Sequence, residues 1–147
     1  KESLHESLRF GCFLSHITLW EQMLDFKQPL MVILEDDVVV VPNFIGRLYT
    51  VLKSMPANWD LLYLNGCYKK FGPLFAPGVK LSSGGLCTSG YAISLAAVGK
   101  LSDSLEKSDK PIDHILDENV LLGHLFAFHA DPPLVQLLPS LESTLAY

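Results

Sequence analysis

Three acidic residues in succession, Glu35, Asp36 and Asp37, are the clearest candidates for chemistry in this sequence. They interrupt an apolar run, residues 30–41, that is rich in Val, Ile and Leu. Carboxylates in apolar surroundings carry a desolvation cost that a divalent cation offsets. Because side chains alternate along a strand, Glu35 and Asp37 face the same way and Asp36 faces the other. The pattern predicts a metal site at Glu35 and Asp37, with a solvated turn as the alternative.

The apolar run predicts a strand buried on both faces, as in a parallel sheet. Its carboxylates would then lie in a crevice at the carboxyl ends of strands, where open α/β sheets bind ligands. Helical and strand-like patterns alternate along the rest of the chain, with helices at 4–26, 43–55, 94–106 and 112–122 and strands at 59–64, 79–82, 86–94 and 125–129. A final apolar stretch covers residues 134–138. Residues 67–78 contain two Gly and two Pro and have loop composition. The sequence therefore predicts an α/β fold with a mostly parallel sheet flanked by helices.

The bulk properties exclude several classes of protein. A chain of 147 residues forms one domain of ordinary size. A net charge of −5 argues against binding to nucleic acid, which needs a basic surface. No apolar run reaches the roughly 18 residues of a transmembrane span. Cys12, Cys67 and Cys87 lack metal-ligand spacing and predict free thiols in a reducing compartment, so we expect a cytoplasmic protein.

Ordered motifs across nearly the whole chain resemble those of glycosyltransferase family 25. They are Phe10-Gly11-Cys12-Phe13-Leu14-Ser15-His16 with Leu19-Trp20, Ile33-Leu34-Glu35-Asp36-Asp37-Val38, Trp59-Asp60-Leu61-Leu62-Tyr63-Leu64, Thr88-Ser89-Gly90-Tyr91-Ala92-Ile93-Ser94, and Pro111-Ile112-Asp113 followed by Pro132-Pro133-Leu134-Val135. That family includes the lipooligosaccharide galactosyltransferases and the procollagen galactosyltransferases. The resemblance implies a single domain of this family over residues 1–147.

The resemblance implies a GT-A-like nucleotide-diphospho-sugar transferase that moves a hexose, galactose above all, from a UDP-sugar to a glycan hydroxyl with inversion. Glu35 and Asp37 would hold Mn²⁺ (or Mg²⁺), which stabilises the departing diphosphate. Asp113 matches the family's Pro-x-Asp position and is the expected general base, and His16 would help shape the site. The plainer alternatives are a helix-start carboxylate for Asp113 and a core histidine for His16.

The same resemblance suggests contacts to the nucleotide sugar. Asp36 would bond to the nucleotide ribose or to backbone donors. Gly85 and Ser89 would lie where the backbone approaches the donor closely, with plain turns as the alternative reading of the glycines.

Two departures from the family pattern affect these expectations. Leu8-Arg9 stands where family members usually have Gly-Glu. Family members also begin with a first strand and helix that help to bind the nucleotide, and this sequence starts after that unit, so we expect an N-terminally truncated domain. The expected partners are a nucleotide-sugar donor and a glycan acceptor in lipopolysaccharide biosynthesis, with peripheral association at the inner face of the membrane and self-association through an exposed sheet edge.

Two other functions remain open at this point. One is a non-catalytic module of the same fold that binds carbohydrate or protein. The other is a response-regulator-like receiver domain, for which the acidic residues would be a phosphorylation pocket. The second strand ends at Leu64-Asn65 without the carboxylate that phosphorylation requires, which counts against the receiver.

Overall fold

The computed structural model describes residues 2–66, 69–106 and 109–138. Four helices and eight strands follow in order: α1 (Glu2–Asp25), β1 (Leu30–Leu34), β2 (Val38–Val40), α2 (Phe44–Lys53), β3 (Leu61–Tyr63), β4 (Lys69–Ala76), β5 (Val79–Gly85), β6 (Gly90–Ser94), α3 (Leu95–Glu106), α4 (Ile112–Leu121), β7 (Ala127–Ala130) and β8 (Val135–Leu137). Among the described residues, none of the helices has the length and apolarity that crossing a membrane requires.

The main sheet has six strands in the order β1-β6-β3-β7-β5-β4, and β2 pairs with β8 in a separate two-stranded sheet. Within the main sheet only β3 and β7 run parallel; the other four pairings are antiparallel. The α/β class is confirmed, but the expectation of a mostly parallel sheet was wrong. A short turn joins β4 to β5, and a hairpin of this kind forces its two strands to be antiparallel.

The segment predicted to be a loop contains strand β4. Its pairing with β5 shifts register between Lys69 and Phe71, between Phe71 and Leu74, and between Leu74 and Ala76. Bulges of this kind accommodate Gly and Pro in an edge strand, where a missing N–H costs little. The loop-like composition of residues 67–78 therefore reflects an irregular edge strand and not a connection without secondary structure.

Strand β1 is also an edge strand, paired only with β6 among the described strands. Ile33 is buried, whereas Leu30 and Leu34 are 38% and 40% exposed. The prediction of a strand buried on both faces was therefore wrong for this run. The fully buried strands are β3 and β7, which lie at the centre of the sheet.

Alternating residues of the central strands contribute to two hydrophobic cores, one on each face of the sheet. Leu61 and Tyr63 point to the face covered by α1, α3 and α4, where Trp20 and Met23 are buried. Leu62 and Leu64 point to the opposite face, covered by α2 and the β2–β8 pair. The period-two alternation of a strand explains this division between a face covered by three helices and a face covered by one helix and a strand pair.

Asp60 connects the sheet to α3. Its Oδ2 accepts hydrogen bonds from Lys100 Nζ at 2.6 Å and from the Phe126 backbone N–H at 2.8 Å, and the residue is 1% exposed. The carboxylate therefore ties the beginning of β3 to the segment leading into β7.

We expect Asp60→Ala to lower the free energy of unfolding by about 2 kcal/mol, because the Phe126 N–H loses its acceptor inside the fold. The matched control is Glu118→Ala, whose carboxylate pairs with Lys110 at 2.8 Å while both side chains are 50% exposed. This exposed pair should contribute no more than about 0.5 kcal/mol. Urea unfolding of both variants measures the difference, and equal losses would contradict the assigned role of Asp60.

Candidate functional site

The candidate site lies where β1 and β3 end and β6 begins. Leu34 pairs with Gly90, and Tyr63 pairs with Tyr91, in antiparallel register. The carboxyl ends of β1 and β3 therefore meet the amino end of β6 at one end of the sheet. The residues just outside this register include the acidic Glu35.

Glu35 is held by contacts from two other segments. Its backbone N–H donates to the Ser89 carbonyl at 3.0 Å, and the Thr88 hydroxyl donates to its Oε1 at 2.8 Å. His16 Nε2 on α1 lies 3.5 Å from the same Oε1. Helix α1, β1 and the start of β6 thus converge on one carboxylate, whose side chain is still 30% exposed.

Asp37 lies two residues further on, in the turn between β1 and β2. Its Oδ1 is buried and has no hydrogen-bond partner among the described residues. Burial, and next the charge of Glu35, raise the pKa of the Asp37 carboxyl above its ordinary value of 3.8. An unpaired carboxylate oxygen beside a second carboxylate fits a cation site built from oxygen ligands. Asp36, between them, is exposed to solvent.

His16 is buried, at 3% exposure, and its second ring nitrogen contacts a buried tyrosine. Nδ1 lies 2.7 Å from the Tyr91 hydroxyl, and Trp20 Nε1 donates to that same hydroxyl at 3.1 Å. Burial raises the pKa of Tyr91 far above its ordinary value, so its hydroxyl stays protonated. The sequence motifs contained Trp20 and Tyr91, but their spacing did not indicate that they orient His16.

Ser89 belongs to a buried cluster of polar side chains next to Glu35. Asn65 Nδ2 donates to the Ser89 hydroxyl, and Ser89 is 1% exposed. Asn65 Nδ2 also lies 3.4 Å from the sulfur of Cys87. Ser89 therefore joins the end of β3 to the loop that precedes β6.

Cys87 is disulfide-bonded, while Cys12 is free. The prediction of three free thiols was therefore wrong at Cys87, and Cys67 lies outside the described residues. The disulfide removes the basis for expecting a reducing compartment.

Asp113 and Asp117, one turn apart on α4, hold the loop between β5 and β6. Asp113 Oδ2 accepts from the Cys87 N–H at 3.3 Å, and Asp117 Oδ1 accepts from the Gly85 N–H at 2.6 Å. Gly85 has a φ of 149°, within the region that favours glycine. Asp113 and Gly85 thus lie next to the loop that carries Thr88. Asp113 is buried, at 5% exposure.

Cys12 adds a thiol to this group of acidic residues. Burial, followed by the charges of Glu35 and Asp113, raises the pKa of the Cys12 thiol to about 11. Its sulfur, a ring nitrogen of His16 and a carboxylate oxygen of Glu35 all lie within 4.8 Å of one another. The structure therefore brings His16, Glu35, Asp37 and Ser89 of the predicted site together. The charge of Asp113 contributes to the raised pKa of Cys12. Sequence reasoning missed Cys12 as a member of this group.

Comparison with known proteins agrees with this arrangement of motifs. The model of glycosyltransferase family 25 (LPS biosynthesis protein) matches residues 7–76, which include most of α1 and the acidic turn. The inactive glycosyltransferase 25 family member 3 of Homo sapiens is 31% identical over 126 residues, covering 81% of this chain and 20% of the relative. Procollagen galactosyltransferase 1-B of Xenopus laevis is 33% identical over 118 residues, covering 72% of this chain and 19% of the relative.

A third relative, a glycosyltransferase 25 family member of Anopheles gambiae, is 44% identical over 55 residues, covering 36% of this chain and 9% of the relative. This chain spans about a fifth of the length of the human and Xenopus relatives. The family match and these relatives agree with the resemblance seen in the motifs: the chain belongs to glycosyltransferase family 25.

Proposed function

We propose that this chain carries the metal-binding part of a glycosyltransferase site that transfers a hexose, galactose in the first instance, from a UDP-sugar to a glycan hydroxyl. The observation that carries the proposal is the buried Oδ1 of Asp37 next to Glu35, an oxygen that no described residue contacts through a hydrogen bond. Such an oxygen is costly unless a cation or donor reaches it. The family membership supports the reaction class, and the name of the Xenopus relative supports galactose.

In this proposal Glu35 and Asp37 would hold Mn²⁺ or Mg²⁺. When bound, the ion would neutralise charge on the diphosphate leaving group. Thr88 and His16 fix the position of Glu35 through its Oε1, so that the carboxylate is preorganised for the ion. The exposed Asp36 is free to contact the nucleotide, as the resemblance suggests.

The general base of an inverting transfer would be Asp113. Support comes from the loop before β6, whose Cys87 N–H donates to Asp113 and whose Thr88 hydroxyl donates to Glu35. The two carboxylate oxygens of Asp113 accept backbone hydrogen bonds from Cys87 and His114, at 3.3 and 2.9 Å. These bonds would hold the carboxylate in one orientation while it takes the proton of the acceptor hydroxyl. Gly85 and Ser89 would shape the loop in front of it.

A second candidate function is non-catalytic binding of a nucleotide sugar or glycan. The name of the human relative describes that protein as inactive. The two candidates differ in one measurement: a transferase releases UDP from UDP-galactose in the presence of an acceptor, and a binding module retains metal-dependent UDP binding without release.

We expect UDP binding to need Mn²⁺ and the Asp37→Asn variant to weaken it by about tenfold or more, because the substitution keeps the shape but removes the charge that holds the ion. Isothermal titration calorimetry with UDP, with and without Mn²⁺, measures this. The matched control is Asp109→Asn, which neutralises an exposed carboxylate outside the candidate site. Binding that is independent of metal, or equal in the two variants, would overturn the proposal.

Asp37 should also destabilise the metal-free fold at neutral pH. A carboxyl whose folded pKa is raised contributes stability below its unfolded pKa and loses that contribution as pH rises through the folded pKa. We therefore expect Asp37→Asn to be more stable relative to the parent chain at pH 7 than at about pH 3, where both carry a neutral side chain. Urea unfolding without metal at the two pH values tests this, and a pH-independent difference would contradict it.

A further inference from the structure

We propose that Cys12, His16 and Glu35 form a second divalent-cation site, of the class that takes Zn²⁺, next to the oxygen-ligand site at Glu35 and Asp37. Nothing in the family match or in the names of the relatives assigns a thiol ligand to this chain. The inference goes beyond the proposed function and shares one residue, Glu35, with it.

The three ligands come from two elements that the fold holds together. Cys12 and His16 are four residues apart on α1, so their side chains lie on one face, one turn apart. Glu35 approaches this face from the end of β1 and puts its Oε1 3.5 Å from His16 Nε2. The three ligand atoms lie within 4.8 Å of one another.

These distances suit a small tetrahedral ion. With bond lengths of about 2.3 Å to sulfur and about 2.0 Å to nitrogen or oxygen, ligand atoms around Zn²⁺ are roughly 3.3–3.6 Å apart. The spacing of His16 and Glu35 already falls in that range. Modest rotation of the Cys12 and Glu35 side chains would bring all three ligand atoms within that range of one another. The fourth coordination position would be left for water.

The chemistry of the ligands separates this site from that of Mn²⁺ or Mg²⁺. Thiolate and imidazole favour borderline-soft ions such as Zn²⁺, whereas the Glu35–Asp37 site offers only oxygen. Binding exchanges one proton for the ion: the Cys12 thiol releases H⁺ to solvent and its sulfur forms the bond to the metal. The part-exposed side chain of Glu35 provides the route for the ion.

The environment of His16 resembles that of a metal ligand. Its Nδ1 already has a partner at 2.7 Å, the Tyr91 hydroxyl, whose position Trp20 fixes. Ligation through Nε2 places the imidazole proton on Nδ1, and the Tyr91 oxygen can then accept from both Trp20 and His16. Metal binding thus selects one tautomer of a ring whose orientation the core has already set.

Titration with Co²⁺ tests the site directly, because a thiolate ligand gives a sulfur-to-cobalt charge-transfer band and tetrahedral ligation gives intense visible bands. We expect one equivalent of Co²⁺ to produce both, Zn²⁺ to displace it, and Cys12→Ser to abolish the charge-transfer band. The control is Ser15→Ala, an exposed position on the same helix, which should leave the band unchanged.

Two further measurements separate this site from the proposed function. Asp37→Asn should keep the cobalt band while losing Mn²⁺-dependent UDP binding, and Cys12→Ser should do the reverse. If Cys12→Ser does not fold, alkylation of Cys12 in the parent chain, located by mass spectrometry, replaces it: Zn²⁺ should slow the reaction about tenfold or more. Absence of the charge-transfer band, its loss in Asp37→Asn, or no protection by Zn²⁺ would overturn the second site.

Discussion

The antiparallel pairing of β1 with β6 is the constraint on which the candidate site depends. It sets Leu34 opposite Gly90, and this places Glu35 beside Thr88 and Ser89. A slip of one residue would turn Glu35 to the other face of the sheet. A side chain at position 90 would also be crowded, because its Cβ would lie 3.1 Å from Val135 and 3.3 Å from Leu34. Glycine at this position thus protects the pairing that positions the acidic turn.

Concentrated negative charge is the second property of the site. Burial raises the pKa of Cys12 and of Asp37, the charge of Glu35 adds to both shifts, and the charge of Asp113 adds to that of Cys12. Helix α1 brings the His16 ring to Glu35. An arrangement of this kind favours the binding of cations.

Local patterns in the sequence predicted the parts of the structure that depend on short-range rules. Helical periodicity located α1 and the apolar run located β1, but the single strand predicted over residues 30–41 is broken at residues 35–37 into β1 and β2 of different sheets. Strand direction was not predicted, because antiparallel pairing of β1 with β6 depends on contacts far apart in the chain. The edge strand β4 was missed because its Gly and Pro residues, tolerated through bulges, have the composition of a loop. The contact of His16 with Tyr91 could not be predicted from residue spacing, because the two residues are 75 positions apart in the sequence.

The disulfide at Cys87 has a consequence for how the chain reaches its native covalent state. A disulfide must form in the loop before β6 while Cys12, a third sulfur, is present in the same chain. Exchange reactions proceed through thiolate, and the pKa of about 11 keeps folded Cys12 almost entirely protonated. Folded Cys12 is therefore a poor nucleophile for thiol–disulfide exchange. Burial, together with the nearby carboxylates, thus slows any exchange of Cys12 with the disulfide at Cys87.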